Sequence, residues 1–266
     1  MRDPEEGLDG AGRLVTGARR ERVPGPYEPL LAEAAEAVHR AGSAGVEGLH
    51  LTGSVATGQA RPPTSDLDLL VVLTGSPATA RTLHAVGEEL AERHRDLVAD
   101  VDLTVVTAAE VDADDARGLG LRALLRHHAV VLSGHDRAAA IAPVPCSATL
   151  AWGLAADARP RLERLLAAAG STTPSPLGLL ARRGARTALL AAAMLASVRQ
   201  GTWTTDRDAG ADWLGRSRQD LVPVLRQARA WADRPPPLDR AALEGFLADL
   251  LRVVAVVEAG LAPASR

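Results

Sequence analysis

Asp66 and Asp68 stand one residue apart in the run Ser65-Asp66-Leu67-Asp68-Leu69-Leu70-Val71-Val72. A strand turns alternate side chains to one face, so the two carboxylates share a side while Leu67, Leu69 and Val71 enter the opposite layer. Carboxylates held side by side repel unless a cation lies between them. Mg²⁺ suits such a pair, being a hard ion that takes oxygen ligands from one or two carboxylates and from nucleotide phosphates. Upstream, His50-Leu51-Thr52 closes an apolar run and Gly53-Ser54 reads as a helix start. Free N–H groups and the positive end of a helix there would bind phosphate oxygens, with the Ser54 hydroxyl beside them. One segment therefore offers both a triphosphate cradle and carboxylates for a metal.

A third carboxylate, Asp102, opens the alternating run Val101-Asp102-Leu103-Thr104-Val105-Val106. If that strand lies beside the first, three acids meet. Asp100 competes with it, because two residues along a strand brings a side chain back to the same face. Asp102 is preferred as the one embedded in the apolar run, and Asp100 is expected at a solvated strand start. These residues resemble the minimal nucleotidyltransferase core of the polymerase-β superfamily, whose pattern is a Gly-Ser helix start, an Asp-x-Asp strand and a third acid on a neighbouring strand. The likeness spans Leu49 to Val106. It implies that Asp66 and Asp68 hold metal ions, that Asp102 completes the metal site and serves as the base, and that Gly53 and Ser54 bind the phosphates. Arg61, between Ser54 and Asp66, is a further candidate for the triphosphate.

Elements must position these groups, and the patterning supplies them. Leu30, Leu31, Ala34, Ala35 and Val38 have helical spacing from Tyr27 to Gly42, followed by a strand from Val46 to Thr52. A helix from Ala78 to His94 separates the Asp66 and Asp102 strands, Asp112 and Asp114-Asp115 cap another running to His127, and Ala129 to Ser133 adds a last strand. The alternation predicts an α/β (α+β) domain with a small mixed sheet over residues 27–142. The pair His127-His128 is expected at a helix end, where a cationic imidazole favours the dipole. After Pro143 and Pro145 the pattern becomes helical, over Ser147–Leu166, Leu177–Arg199, Asp208–Leu214, Asp220–Ala232 and Asp239–Glu258, with breaks at Pro174, Pro176 and Pro235-Pro236-Pro237. Residues 143–266 are thus expected to form an all-helical bundle domain that binds substrate.

The second half also resembles the helical domain of streptomycin/spectinomycin adenylyltransferases, through Gly201 to Trp213 with Arg207-Asp208-Ala209-Gly210-Ala211-Asp212-Trp213, and through Leu225-Arg226-Gln227-Ala228-Arg229. The resemblance implies ATP as a substrate, Mg²⁺ as cofactor, and a small hydroxylated acceptor, an aminoglycoside-type antibiotic as the first expectation, bound in the cleft with the helical domain. Arg207 falls at that family's Lys, which reaches nucleotide phosphates, and a guanidinium can take that place. Two departures bear on the acceptor. Arg182-Arg183-Gly184 occupies the stretch where the family has acids for its cationic drug, and positive charge there repels a polycation. Gly118-Leu119-Gly120-Leu121-Arg122 offers no ring where the family has an aromatic residue. An antitoxin-type nucleotidyltransferase that modifies a partner protein is the alternative, and a non-catalytic nucleotide-binding module a third.

Composition closes off other classes. The chain has 266 residues, 47% hydrophobic, with a net charge of −3. That balance carries no basic footprint for long nucleic acid. The single Cys146 permits no internal disulfide, which suits a reducing cytoplasm. Met1 to Pro26 mixes acids, arginines, glycines and prolines without an apolar stretch, so it is read as a disordered tail rather than a signal or anchor. The longest apolar run, Thr187 to Val198, is too short for the roughly 20 residues of a bilayer span and is expected as a buried helix.

Overall fold

The computed structural model describes residues 3–42, 45–75, 80–170 and 177–262, in two compact units, Met1–Pro145 and Cys146–Arg266. Ala78, Pro174 and Pro176, expected to start or break helices, lie outside the described residues. The first unit is built on a four-stranded mixed sheet in the order β5-β4-β3-β6, with β3 Val46–Thr52, β4 Leu67–Leu73, β5 Val101–Thr107 and β6 Val130–Gly134. β4 and β5 run parallel, while β3 is antiparallel to both β4 and β6. A parallel pair needs a crossover, and helix α3 (Ala80–Arg93) supplies it.

The period of two decides which face each side chain takes. Leu49, Leu51, Leu67, Leu69, Val71 and Leu103 point to one side, where helix α1 (Glu28–Gly42) meets them with Leu30, Leu31, Ala34 and Val38, and α3 with Leu83 and Leu90. Burying each such Leu is worth roughly 1.5–3 kcal/mol, so this layer anchors the sheet. Leu70, Val72 and Val106 point to the other side, against Val111 of α4 (Ala108–Asp112), Leu121 of α5 (Ala116–Ala123), and Leu125 in the wider π turn Leu124–His128. Thr107 and Glu110 form a reciprocal capping box on α4, and Asp115 caps α5 through Gly118 N–H.

The amino-terminal stretch expected to be disordered is folded from Asp3 onward. Strand β1 (Gly7–Leu8) pairs antiparallel with β2 (Leu14–Val15) around a turn in which the Asp9 carboxylate accepts from Ala11 N–H at 2.8 Å and Arg13 N–H at 2.9 Å. Asp3, buried, accepts from Gly17 N–H, and Leu14 N–H donates to Val144 O at 3.1 Å. Local carboxylate-to-backbone bonds, rather than an apolar stripe, organise this segment.

The second unit is helical throughout its described residues: α6 (Ala148–Ala155), α7 (Ala158–Ala169), α8 (Leu177–Gln200), α9 (Arg207–Ser217), α10 (Val222–Asp233) and α11 (Arg240–Leu261). The run expected as one helix, Ser147–Leu166, is two, because Pro160 is tolerated only in a first turn and forces a new start just before it. Gly184 on α8 lets Leu247 and Leu250 of α11 approach, and a Cβ there would lie 2.6 Å from Leu247 Cδ2. Thr187–Val198 lies in the second half of α8 and is largely buried, with Leu190 exposed, and no described helix is long and apolar enough to cross a membrane.

Candidate active site

Asp68 is the second residue of β4 and Asp102 the second of β5, and the two are Cα partners in the parallel ladder. Adjacent strands stand about 4.8 Å apart, so the backbone alone makes these carboxylates neighbours. On the other side of Asp68 its partner is Thr52, the last residue of β3, whose hydroxyl donates to Asp68 O at 3.3 Å. Asp102, Asp68 and Thr52 therefore form one row across three strands, and the chain leaves Thr52 directly into Gly53. Thr52 is a member of the site that the sequence pattern left without a role.

Gly53 is required twice. Its φ of +69° lies in the left-handed region, and a Cβ would overlap Asp68 Oδ2 and sit 3.0 Å from Asp68 Cγ. The turn thus brings backbone so close to the Asp68 carboxylate that any side chain at Gly53 would have to displace it. Helix α2 (Gly53–Ala56) that follows is a single turn anchored by fully buried Val55 and Ala56. Four residues carry little macrodipole. What this turn can offer a phosphate is its first N–H groups and the half-buried Ser54 hydroxyl.

Asp66 precedes β4 and is 8% exposed, while Asp68 and Asp102 are half-buried. Leu67 N–H donates to Asp100 O and Ala99 N–H to Ser65 O, both at 2.9 Å, so the chain at Asp66 already runs beside residues 99–100. Asp100 is not at a solvated strand start. It is 5% exposed and its Oδ1 accepts from Val101 N–H at 2.9 Å, the geometry of a carboxylate turned back on its own backbone. Among the described residues no three acidic, His or Cys side chains converge into a complete metal cage. An open pair such as Asp68 and Asp102 fits an ion that completes its shell with substrate phosphates and water, as Mg²⁺ does.

Arg61 is exposed, in the loop that Ser65 closes by accepting from Arg61 N–H at 2.8 Å. Arg207 is on the helical unit, where it opens α9 after the Asp206 cap. Its charge, after burial, helps hold the Arg186 guanidinium of α8 down at about 10. Arg182 is 8% exposed and Arg183 half-buried on the same helix, so Arg182 is not a solvent-facing charge. The histidine pair is not cationic: burial pushes His128 down to about 4 and lowers His127, whose Nε2 accepts from Val144 N–H at 2.9 Å.

Residues 31–140, which span α1 to β6 and contain the whole acid row, match the family model of the nucleotidyltransferase domain. Residues 31–140 thus carry the pattern of a nucleotidyltransferase domain. A solved structure, spectinomycin adenyltransferase AAD(9) from Enterococcus faecialis with ATP and spectinomycin, shares its fold with a TM-score of 0.51 and 10% identity, over 85% of this chain and 98% of that one. With 85% of this chain covered, the likeness in fold extends over both units. No curated protein matches the chain at a significant level.

Proposed function

We propose that the protein transfers a nucleoside monophosphate, AMP from ATP, to a hydroxyl group of a small molecule. The observation that carries this reading is the row Asp102–Asp68–Thr52 ending in a left-handed glycine turn packed against the Asp68 carboxylate. Asp66 and Asp68, with Asp102, would hold Mg²⁺, which when bound neutralises charge on the phosphates. Gly53 and Ser54 hold phosphate oxygens through N–H and hydroxyl groups. Asp102 accepts the proton of the acceptor hydroxyl as its oxygen bonds to the α-phosphorus, and the bond from that phosphorus to the departing oxygen breaks to release pyrophosphate. Arg61 and Arg207 are the cations offered to the triphosphate in this reading.

The acceptor follows from charge. Arg182, Arg183 and Arg186 lie within five positions of α8. A drug with several ammonium groups needs clustered carboxylates, and nearby positive charge, here from the half-buried Arg183 and Arg186 and the buried Arg182, penalises it by up to several kcal/mol. The preferred acceptor is therefore weakly charged or anionic, and highly cationic aminoglycosides are poor substrates. The test incubates the protein with each nucleoside triphosphate, Mg²⁺ and an acceptor panel that includes streptomycin and spectinomycin, following pyrophosphate and product mass. Transfer to a hydroxyl supports the function. Efficient streptomycin turnover, unchanged in an Arg182→Asp/Arg183→Glu double variant, overturns the acceptor assignment, and no transfer from any triphosphate overturns the function.

A further inference from the structure

The end of the sheet opposite the acids holds a cavity of about 620 Å³, within the 300–1,000 Å³ common for small-molecule sites. It is lined by Val111, Leu119, Ile141 and Val144, with Arg122 and His135 among its polar groups. Two cations at this cavity differ in their commitments. Arg137 is neutralised, since its Nε meets Glu47 and its Nη1 meets Asp112 at 2.7 Å. Arg122, half-buried, has no carboxylate partner among the described residues. Its Nη1 makes both of its hydrogen bonds, to Val111 O and Ala113 O at 2.8 Å each. The Nε–Nη2 edge is left uncommitted, and that edge can take a carboxylate through two parallel N–H···O bonds.

A second group lies beneath. His50 is fully buried on β3, and neither ring nitrogen has a protein hydrogen-bond partner. Leaving a buried donor or acceptor unmet costs about 1–3 kcal/mol. A Cβ on Gly48 would stand 2.9 Å from His50 Nε2 and 3.0 Å from His135 O, so the imidazole ends beneath the residue that edges the cavity. Burial holds this imidazole below its ordinary pKa.

We propose that this cavity is a second small-molecule site that binds an amphipathic organic anion, its carboxylate on the free edge of Arg122 and its apolar body against Val111, Leu119, Ile141 and Val144. The site stands independently of the transferase reading, because none of these residues belongs to the acid row. Isothermal titration of the full chain with octanoate and with octan-1-ol tests it. Octanoate binds one site, and the alcohol binds about 10–100-fold more weakly, the worth of a charge-assisted hydrogen-bond pair. Arg122→Gln removes that difference, whereas Arg122→Lys keeps part of it and shows that loss of charge, rather than unfolding at the Val111 and Ala113 carbonyls, is responsible. Ile141→Trp abolishes binding of both probes with the melting temperature kept, and Asp68→Ala leaves octanoate binding intact. Equal affinity for acid and alcohol, an Arg122→Gln variant that holds octanoate as tightly as wild type, or no binding at millimolar octanoate overturns the proposal.

Discussion

The two units concentrate information differently. In the α/β unit single residues carry single tasks: Asp68 faces Asp102, Gly53 lies against Asp68, and no neighbour can substitute because a one-residue shift reverses every side chain of a strand. In the helical unit tasks are spread. Ala188, Ala191, Ala192, Ala193, Ala196 and Leu189 are all buried along α8, any one of them is one contact among many, and exposed acids such as Asp208 and Asp212 share one partner, Arg229. A strand edge bearing acids is a place for chemistry, whereas an alanine-rich bundle is a support whose recognition residues do not stand out by type.

The largest expected contrast compares an acid from each unit. Asp68→Ala should lower kcat by about 10³-fold, since metal stabilisation of the transferring phosphoryl group is worth several kcal/mol. It should hold or raise the melting temperature without Mg²⁺, because a like-charged neighbour has gone. Asp212→Ala, which breaks only an exposed ion pair with Arg229, should shift stability by less than about 1 kcal/mol and leave turnover alone. Steady-state pyrophosphate release and thermal melts measure both, and equal effects would erase the distinction between the units.

Acid provides the next contrast. Every histidine of the chain precedes Pro145, while all four tryptophans follow it. His128 is held near 4 by burial, below its unfolded value of about 6.5. A depressed imidazole pKa means that the unfolded chain binds more protons between those values. Its stabilising contribution is therefore complete above about pH 6.5 and is lost as pH falls toward 4, by about 3 kcal/mol. His127 and His50, both lowered by burial, act in the same direction. Amide exchange in β3 to β5 should quicken over that range well before tryptophan fluorescence reports the helical unit, and His128→Asn should flatten the dependence. Synchronous loss in wild type and variant would contradict it.

The smallest contrast uses two glycines with positive φ. Gly201 ends α8 at +62° with no heavy atom within 4 Å of a built Cβ, whereas Gly53 at +69° meets the Asp68 carboxylate. Gly201→Ala should cost about 1 kcal/mol, the strain of left-handed backbone alone. Gly53→Ala should cost about 2 kcal/mol or more and impair transfer as well. Denaturant melts of the two variants read the difference.

The strands of the site were legible because period-two alternation both creates the sheet and aims the acids, so β3, β4 and β5 followed from spacing, whereas the neighbourhood of Asp68 and Asp102 came only from the resemblance to the nucleotidyltransferase core. Asp100 was misread because its carboxylate bonds its own backbone, a local choice that leaves no periodic trace. The amino-terminal stretch was misread for a related reason: two-residue strands and Asp3 and Asp9 turns look like polar linker. His127 and His128 lose their charge because burial of their rings lowers both imidazoles, which position at a helix end does not reveal. In the second unit the helices were legible and the α6–α7 break was not, although Pro160 marked it.

The register that pairs Asp102, rather than Asp100, with Asp68 is the centre of this account. Single-turnover transfer at saturating Mg²⁺ and ATP, run on Asp102→Asn and Asp100→Asn side by side with nucleotide binding measured on both, tests it directly. Asp102→Asn should retain nucleotide binding and lose about 10²–10⁴-fold in rate, the usual contribution of a positioned base, while Asp100→Asn stays near wild type. A dead Asp100→Asn beside an unimpaired Asp102→Asn would contradict it.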